Sequence, residues 1–145
     1  RLAVIFAEAL YGRIMEELSD MAVFENFHDV ILIPIPLSAK RYRERGYNQA
    51  EIIARDLCRH YRLAFTTDIL IRDQPTQAQA NLDQKQRWTN MKGAFKMKPS
   101  CTVADKSILI VDDLLTTGAT ASAAAAILKE SGAAQVGVLT LAITH

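Results

Sequence analysis

"SILIVDDLLTTGAT", residues 107–120, decides the reading of this chain. Its opening, Ser107 to Val111, is an Ile- and Val-rich run suited to a strand buried on both faces. The run ends on two adjacent carboxylates, Asp112 and Asp113, and turns through Thr116 and Thr117 into "GATASAAAAILKES", a helix closed by Gly132. Adjacent like charges at the end of a buried element are unfavourable unless a cation or a hydrogen-bond donor faces them. Two readings follow. Either the pair is a strand-end cap before a plain helix start, or the strand end is built to meet a ligand.

Working outward, the same alternation recurs. Upstream, "DVILIPIP" (29–36) is a short buried strand ended by prolines, and "YNQAEIIARDLCRHY" (47–61) has helical spacing through Ile52, Ile53, Leu57 and Tyr61. "FTTDILIR" (65–72) reads as a further strand, "GAFKMK" (93–98) as one returning from a loop, and "AQVGVLTLAI" (134–143) as the last. "LAVIFAEALYGRIMEEL" (2–18) has the period of an amphipathic helix. Strands alternating with helices predict an α/β fold with a parallel sheet and right-handed crossovers. Residues 72–90, "RDQPTQAQANLDQKQRWTN", are polar and Gln-rich with no apolar stripe, so a long arm is expected there.

Bulk properties narrow the class. A chain of 145 residues with 50% hydrophobic and 23% charged residues is one globular domain by default, able to bury a core without staples. No apolar run approaches the ~20 residues of a membrane span, so no membrane insertion is expected. Cys58 and Cys101 stand far apart with no metal-ligand spacing, which favours an intracellular, cytoplasmic protein over a disulfide scaffold. His28, His60 and His145 are scattered. The net charge of +1 hides a segregation: residues 1–39 carry −4, residues 40–98 carry +7 and residues 99–145 carry −2. A basic middle third suits an anionic ligand, a polyphosphate or a nucleic acid backbone, or else a solvated surface.

The strand-end carboxylates fit that picture. In open α/β sheets ligands bind outside the carboxyl ends of the strands. There the Thr hydroxyls, the Gly and the first-turn amides after Asp113 make an anion cradle. Carboxylates beside a phosphate must face a different group, such as sugar hydroxyls or a bound Mg²⁺. A phosphorylated ribose satisfies both halves, its 5′-phosphate in the Thr/Gly turn and its 2′- and 3′-hydroxyls on the two Asp side chains. There is no P-loop and no GxGxxG. A receiver domain also begins with "ILIVDD", but it needs a later phosphoacceptor Asp, and no Asp follows Asp113.

"ILIVDDLLTTGAT" resembles the 5-phosphoribosyl 1-pyrophosphate (PRPP) signature of type I phosphoribosyltransferases. "IPIPLSAKRYRERGYNQAEIIA" (33–54) and "TQAQANLDQKQRWTNMKGAF" (76–95) narrow the resemblance to the ComF family, phosphoribosyltransferase-like proteins associated with natural competence. It spans roughly residues 31–143. The implied fold is a central, mostly parallel sheet flanked by helices, forming a single domain over residues 1–145. The resemblance implies a flexible arm or hood at about 72–98 that would close over substrate. The family's N-terminal zinc ribbon has no counterpart in this sequence. Within the arm, Gln74, Ala78 and Asn81 stand where the family pattern leads one to expect Arg, Pro and Gly.

The resemblance also implies roles. Asp112 and Asp113 would hold the ribose hydroxyls, and Thr116, Thr117, Gly118, Ala119 and Thr120 the 5′-phosphate. Leu37, Ser38, Ala39 and Lys40 would hold the pyrophosphate, with Lys40 its cation. Arg45 and Asn48 would point towards that anion, while Arg72, Gln79, Arg87 and Asn90 would belong to the hood. PRPP would arrive with Mg²⁺. Three functions remain open: phosphoribosyl transfer, an inactive PRPP or nucleotide sensor serving DNA uptake beside a helicase-like ATPase and single-stranded DNA, and nucleobase salvage.

Overall fold

The computed structural model describes residues 30–72, 85, 93–115 and 118–143. The helix expected over 2–18, the arm positions Gln79, Arg87 and Asn90, and Thr116 and Thr117 lie outside the described residues. Four strands form one parallel sheet in the order β2 (Ala64–Phe65), β1 (Val30–Pro34), β5 (Ser107–Leu115), β6 (Gln135–Ile143). β3 (Leu70–Arg72) and β4 (Phe95–Met97) form a separate antiparallel pair.

β5 is central because its sequence is apolar on both faces. Ile108 and Ile110 point into one core with Ile33, Phe95, Ala124 and Leu128, whereas Leu109 and Val111 point into another with Leu32, Ile53 and Leu57. Such period-2 division of a continuous apolar run requires a covering layer on each side. Helix α2 (Gln49–Tyr61) covers one face through Ile53, Ala54 and Leu57, and α3 (Ala119–Glu130) covers the other through Ala123, Ala124 and Leu128. The alanines of α3 are the reason it can lie close to the sheet.

The structure departs from the expected elements in two places and adds one that the apolar periods do not mark. "FTTDILIR" is two strands rather than one. Asp68 N–H donates to Thr66 Oγ1 at 3.2 Å, a local turn that separates β2, paired with β1, from β3, paired with β4. The arm is also shorter than 72–98. Phe95 is only 1% exposed and packs in the main core, so β4 is an anchored hairpin strand. Finally, the turn after β1 contains helix α1 (Ala39–Arg45), none of whose residues is buried.

Candidate functional site

At the carboxyl end of the parallel strands lies a cleft of about 400 Å³, lined by residues of β5, α1, α2, β3 and α3. Each wall follows from local sequence. β1 stops at Pro34, which has no amide to donate, and Ile35 N–H then donates one more bond to the Val111 carbonyl at 2.9 Å. The chain leaves the sheet there and enters α1, whose N-cap Ser38 accepts from Arg41 N–H at 3.3 Å. Gly46, at φ 77°, ends α1 in the left-handed conformation that a residue with a Cβ adopts only with strain.

Asn48 then fixes the corner. It is buried, its Oδ1 accepts from Ala50 N–H at 3.1 Å as the cap of α2, and its Nδ2 donates to the Ile35 carbonyl at 2.9 Å. Asn48 lines the cleft as its sequence position suggests. These two bonds make it a brace between β1 and α2 rather than a side chain aimed wholly at an anion.

Opposite this corner are the two carboxylates. Strand alternation alone would send Asp112 and Asp113 to opposite faces, yet at the sheet's end both line the cleft. Asp112 is 8% exposed. Burial, followed by the hydrogen bond and negative charge of Asp113, raises its pKa from the ordinary 3.8 to about 6. Asp113 is more open and lies 3.9 Å from Arg45 Nη1. The cation that the sequence demanded opposite the acidic pair is therefore Arg45.

Beyond Asp113 the chain reaches Gly118, at φ 76°, which starts α3 with no side-chain cap. Thr120 of the first turn lines the cleft, and Ala119 is buried beneath it. Leu37 lines the cleft as well, whereas Ser38 is buried in its capping role. Lys40 goes elsewhere. Its side chain is 72% exposed, it lies 4.0 Å from Glu44, and it is not among the lining residues. Arg41, which the sequence reading did not select, takes a place on the wall. The signal for it was present: once Arg45 faces a site from a helix, Arg41 one turn earlier shares that face. Arg72 completes the wall, its guanidinium 5.5 Å from the centre of the Phe95 ring.

Three guanidiniums and two carboxylates around one polar cleft can hold a ligand that is anionic at one end and hydroxylated at another. Among the described residues no three His, Cys, Asp or Glu side chains gather as a metal cage. No helix among them is long and apolar enough to cross a membrane.

The sequence profile of the "Phosphoribosyl transferase domain" family matches residues 7–144. The chain belongs to this family. Two relatives place this phosphoribosyl transferase domain among the ComF-type members. One is the "DNA utilization protein YhgH" of Escherichia coli O157:H7, 33% identical over 113 residues, 78% of this chain and 49% of the relative. The other is "Competence protein F" of Haemophilus influenzae, 33% identical over 112 residues, 77% of this chain and 49% of the relative. The chain thus spans about half the length of the curated relatives it matches. Among solved structures, a hypoxanthine phosphoribosyl transferase of Trypanosoma cruzi shares the phosphoribosyl transferase fold. Its TM-score is 0.60 at 10% identity, covering 97% of this chain and 66% of that one. At such identity the likeness concerns fold alone. The α/β, type I architecture expected from the sequence is the one found.

Proposed function

We propose that the cleft binds PRPP and uses it as a phosphoribosyl donor, in a protein serving the handling of incoming DNA. The observation that carries this is the Asp112–Asp113 pair in the cleft, across from Arg45 and directly before the glycine-led start of α3. Ribose hydroxyls donate to carboxylates, and the first turn of α3, with its amides and the Thr120 hydroxyl, suits the 5′-phosphate. The hard carboxylate oxygens of Asp112 and Asp113 would also suit a Mg²⁺ ion accompanying the diphosphate. When bound, Mg²⁺ supplies charge neutralisation for the leaving diphosphate. The chain's own residues orient the ribose and answer the anion with guanidinium groups. Bound against the ribose, the two carboxylates would offset positive charge growing on its ring.

Calorimetric titration of PRPP with Mg²⁺ tests this. Asp112→Asn with Asp113→Asn should weaken binding by well over tenfold, from ~1.5–3 kcal/mol for each charged hydrogen bond. Unchanged affinity would remove the reading. Pyrophosphate release with candidate acceptors then separates a transferase from a sensor that binds without turnover.

A second reading, contact with single-stranded DNA beside a helicase-like ATPase, is favoured by the outer face of α1. Lys40 and Arg43 of α1 are exposed, as are Tyr42 of the same helix, at 52%, and Tyr47 just after its end, at 47%. Exposed bases with interleaved aromatics suit a phosphate backbone and stacked bases. The names of the two relatives, which speak of DNA utilization and competence, agree with it.

A further inference from the structure

Outside the cleft, a smaller cavity of about 160 Å³ opens where Pro34 ends β1 and Thr67 follows β2. Leu37 and Asn48 line both and so separate the two. Its apolar walls come from Pro34, Pro36, Leu37 and Tyr42, and its polar residues are Glu51 and Thr67. Tyr42 belongs to a helix with no buried residue, so its ring contributes nothing to a core. Glu51 is held in place. Its Oε1 accepts from Arg55 Nη2 at 2.8 Å, one turn along α2, and that guanidinium lies 5.3 Å from the centre of the Phe65 ring of β2. The pair leaves Oε2 without a bond among the described residues and balances the carboxylate's charge, so a polyanion can approach an acceptor that would otherwise repel it. Helical spacing puts the exposed Arg43 one step of ~100° round α1 from Tyr42, which supplies a cation for the backbone of a strand whose base faces the ring.

We propose that this cavity is a single-base pocket for guanine: where single-stranded DNA runs over α1, one guanine stacks on Tyr42 and donates its N1–H and 2-amino group to Glu51. The assignment rests on the single-stranded DNA reading of α1 and deepens it. At this volume the cavity admits one planar ring system and leaves sugar and phosphate outside, beside Arg43 and Lys40. Stacking on an aromatic ring accepts any base, so the choice among bases falls to the carboxylate. An ionised carboxylate only accepts, and it has lone pairs for Arg55 and two further donors. Guanine alone carries two adjacent donors on its pairing edge. Adenine and cytosine offer one amino group each, and the N3–H of thymine lies between two carbonyl oxygens that the carboxylate repels.

Fluorescence anisotropy with labelled oligo(dT), and with the same strand carrying one central dG, dC or dA, tests the pocket. The wild type should bind the dG strand about tenfold more tightly than oligo(dT), with the dC and dA strands between them. Glu51 and Tyr42 belong to neither core, so Glu51→Gln and Tyr42→Ala keep the fold. Glu51→Gln should cut the dG preference to less than about threefold while oligo(dT) affinity stays as in the wild type. Tyr42→Ala should weaken all four strands by about fivefold or more, since stacking is lost whatever the base. Equal wild-type affinity for the four strands, a preference for another base, or a dG preference that survives Glu51→Gln would each overturn the pocket while leaving the strand reading of α1 standing. Guanosine monophosphate binding as tightly as the dG strand would also overturn it, the cavity then serving a free nucleotide. A wild type that binds no oligonucleotide overturns both.

Discussion

Asp112 is held in a place that suits a ligand better than it suits the fold. Its pKa, raised to about 6 by burial and by Asp113, lies above the 3.8 of an ordinary Asp, so between those values the folded chain binds more protons than the unfolded one. The stability linked to this group is fully present below pH 3.8 and is lost as the pH rises through about 6. Asp112→Asn removes the ionisation. The unliganded variant should be more stable than wild type at pH 7, on the order of 1–3 kcal/mol, and the difference should vanish near pH 4. Denaturant unfolding over that range measures it, and parallel pH profiles for the two proteins would count against the account. PRPP affinity should run the other way, rising as the pH passes about 6, because sugar hydroxyls donate best to ionised carboxylates.

At the scale of elements, the brace at Asn48 sets where the cleft walls stand. Removing it in Asn48→Ala takes away the cap of α2 and leaves the buried Ile35 carbonyl without its donor, a loss of about 1–3 kcal/mol in unfolding experiments. A loss below ~0.5 kcal/mol would show that the corner holds itself. Such elements were unevenly legible. β1, β5, β6, α2 and α3 were readable because each carries a long apolar period, and the acidic pair was readable because it breaks one. α1 was not. It buries nothing, so no hydrophobic period marks it, and only Ser38 and Gly46 announce its ends. It is this helix that turns Arg41 and Arg45, one turn apart, onto the cleft wall. The split between β2 and β3 was hidden for a related reason, since a two-residue strand is defined by its partner and not by its own pattern. The brace itself could not be foreseen, because the Ile35 carbonyl it binds lies thirteen residues away.

Over the whole molecule, four side chains of the basic middle third divide between two surfaces of one short helix. Arg41 and Arg45 face the cleft, while Lys40 and Arg43 lie outside its lining. The two can therefore be separated by mutation. Lys40→Gln with Arg43→Gln should reduce the salt slope for single-stranded DNA by about 1.4 and leave PRPP affinity unchanged. Binding measured over a salt series decides it, and an unaltered slope would remove the nucleic-acid reading of this face. The parallel sheet adds a further separation. All its strands run in one direction and the cleft lies at the carboxyl ends of β1 and β5, so the turns that precede β5 and β6 lie at the opposite pole. Lys106, exposed and one residue before β5, stands ~20 Å of strand away from Asp112. A fluorophore or surface linker attached there would hold every molecule in the same orientation with its cleft open to solution, so immobilised protein should titrate with ligand as free protein does.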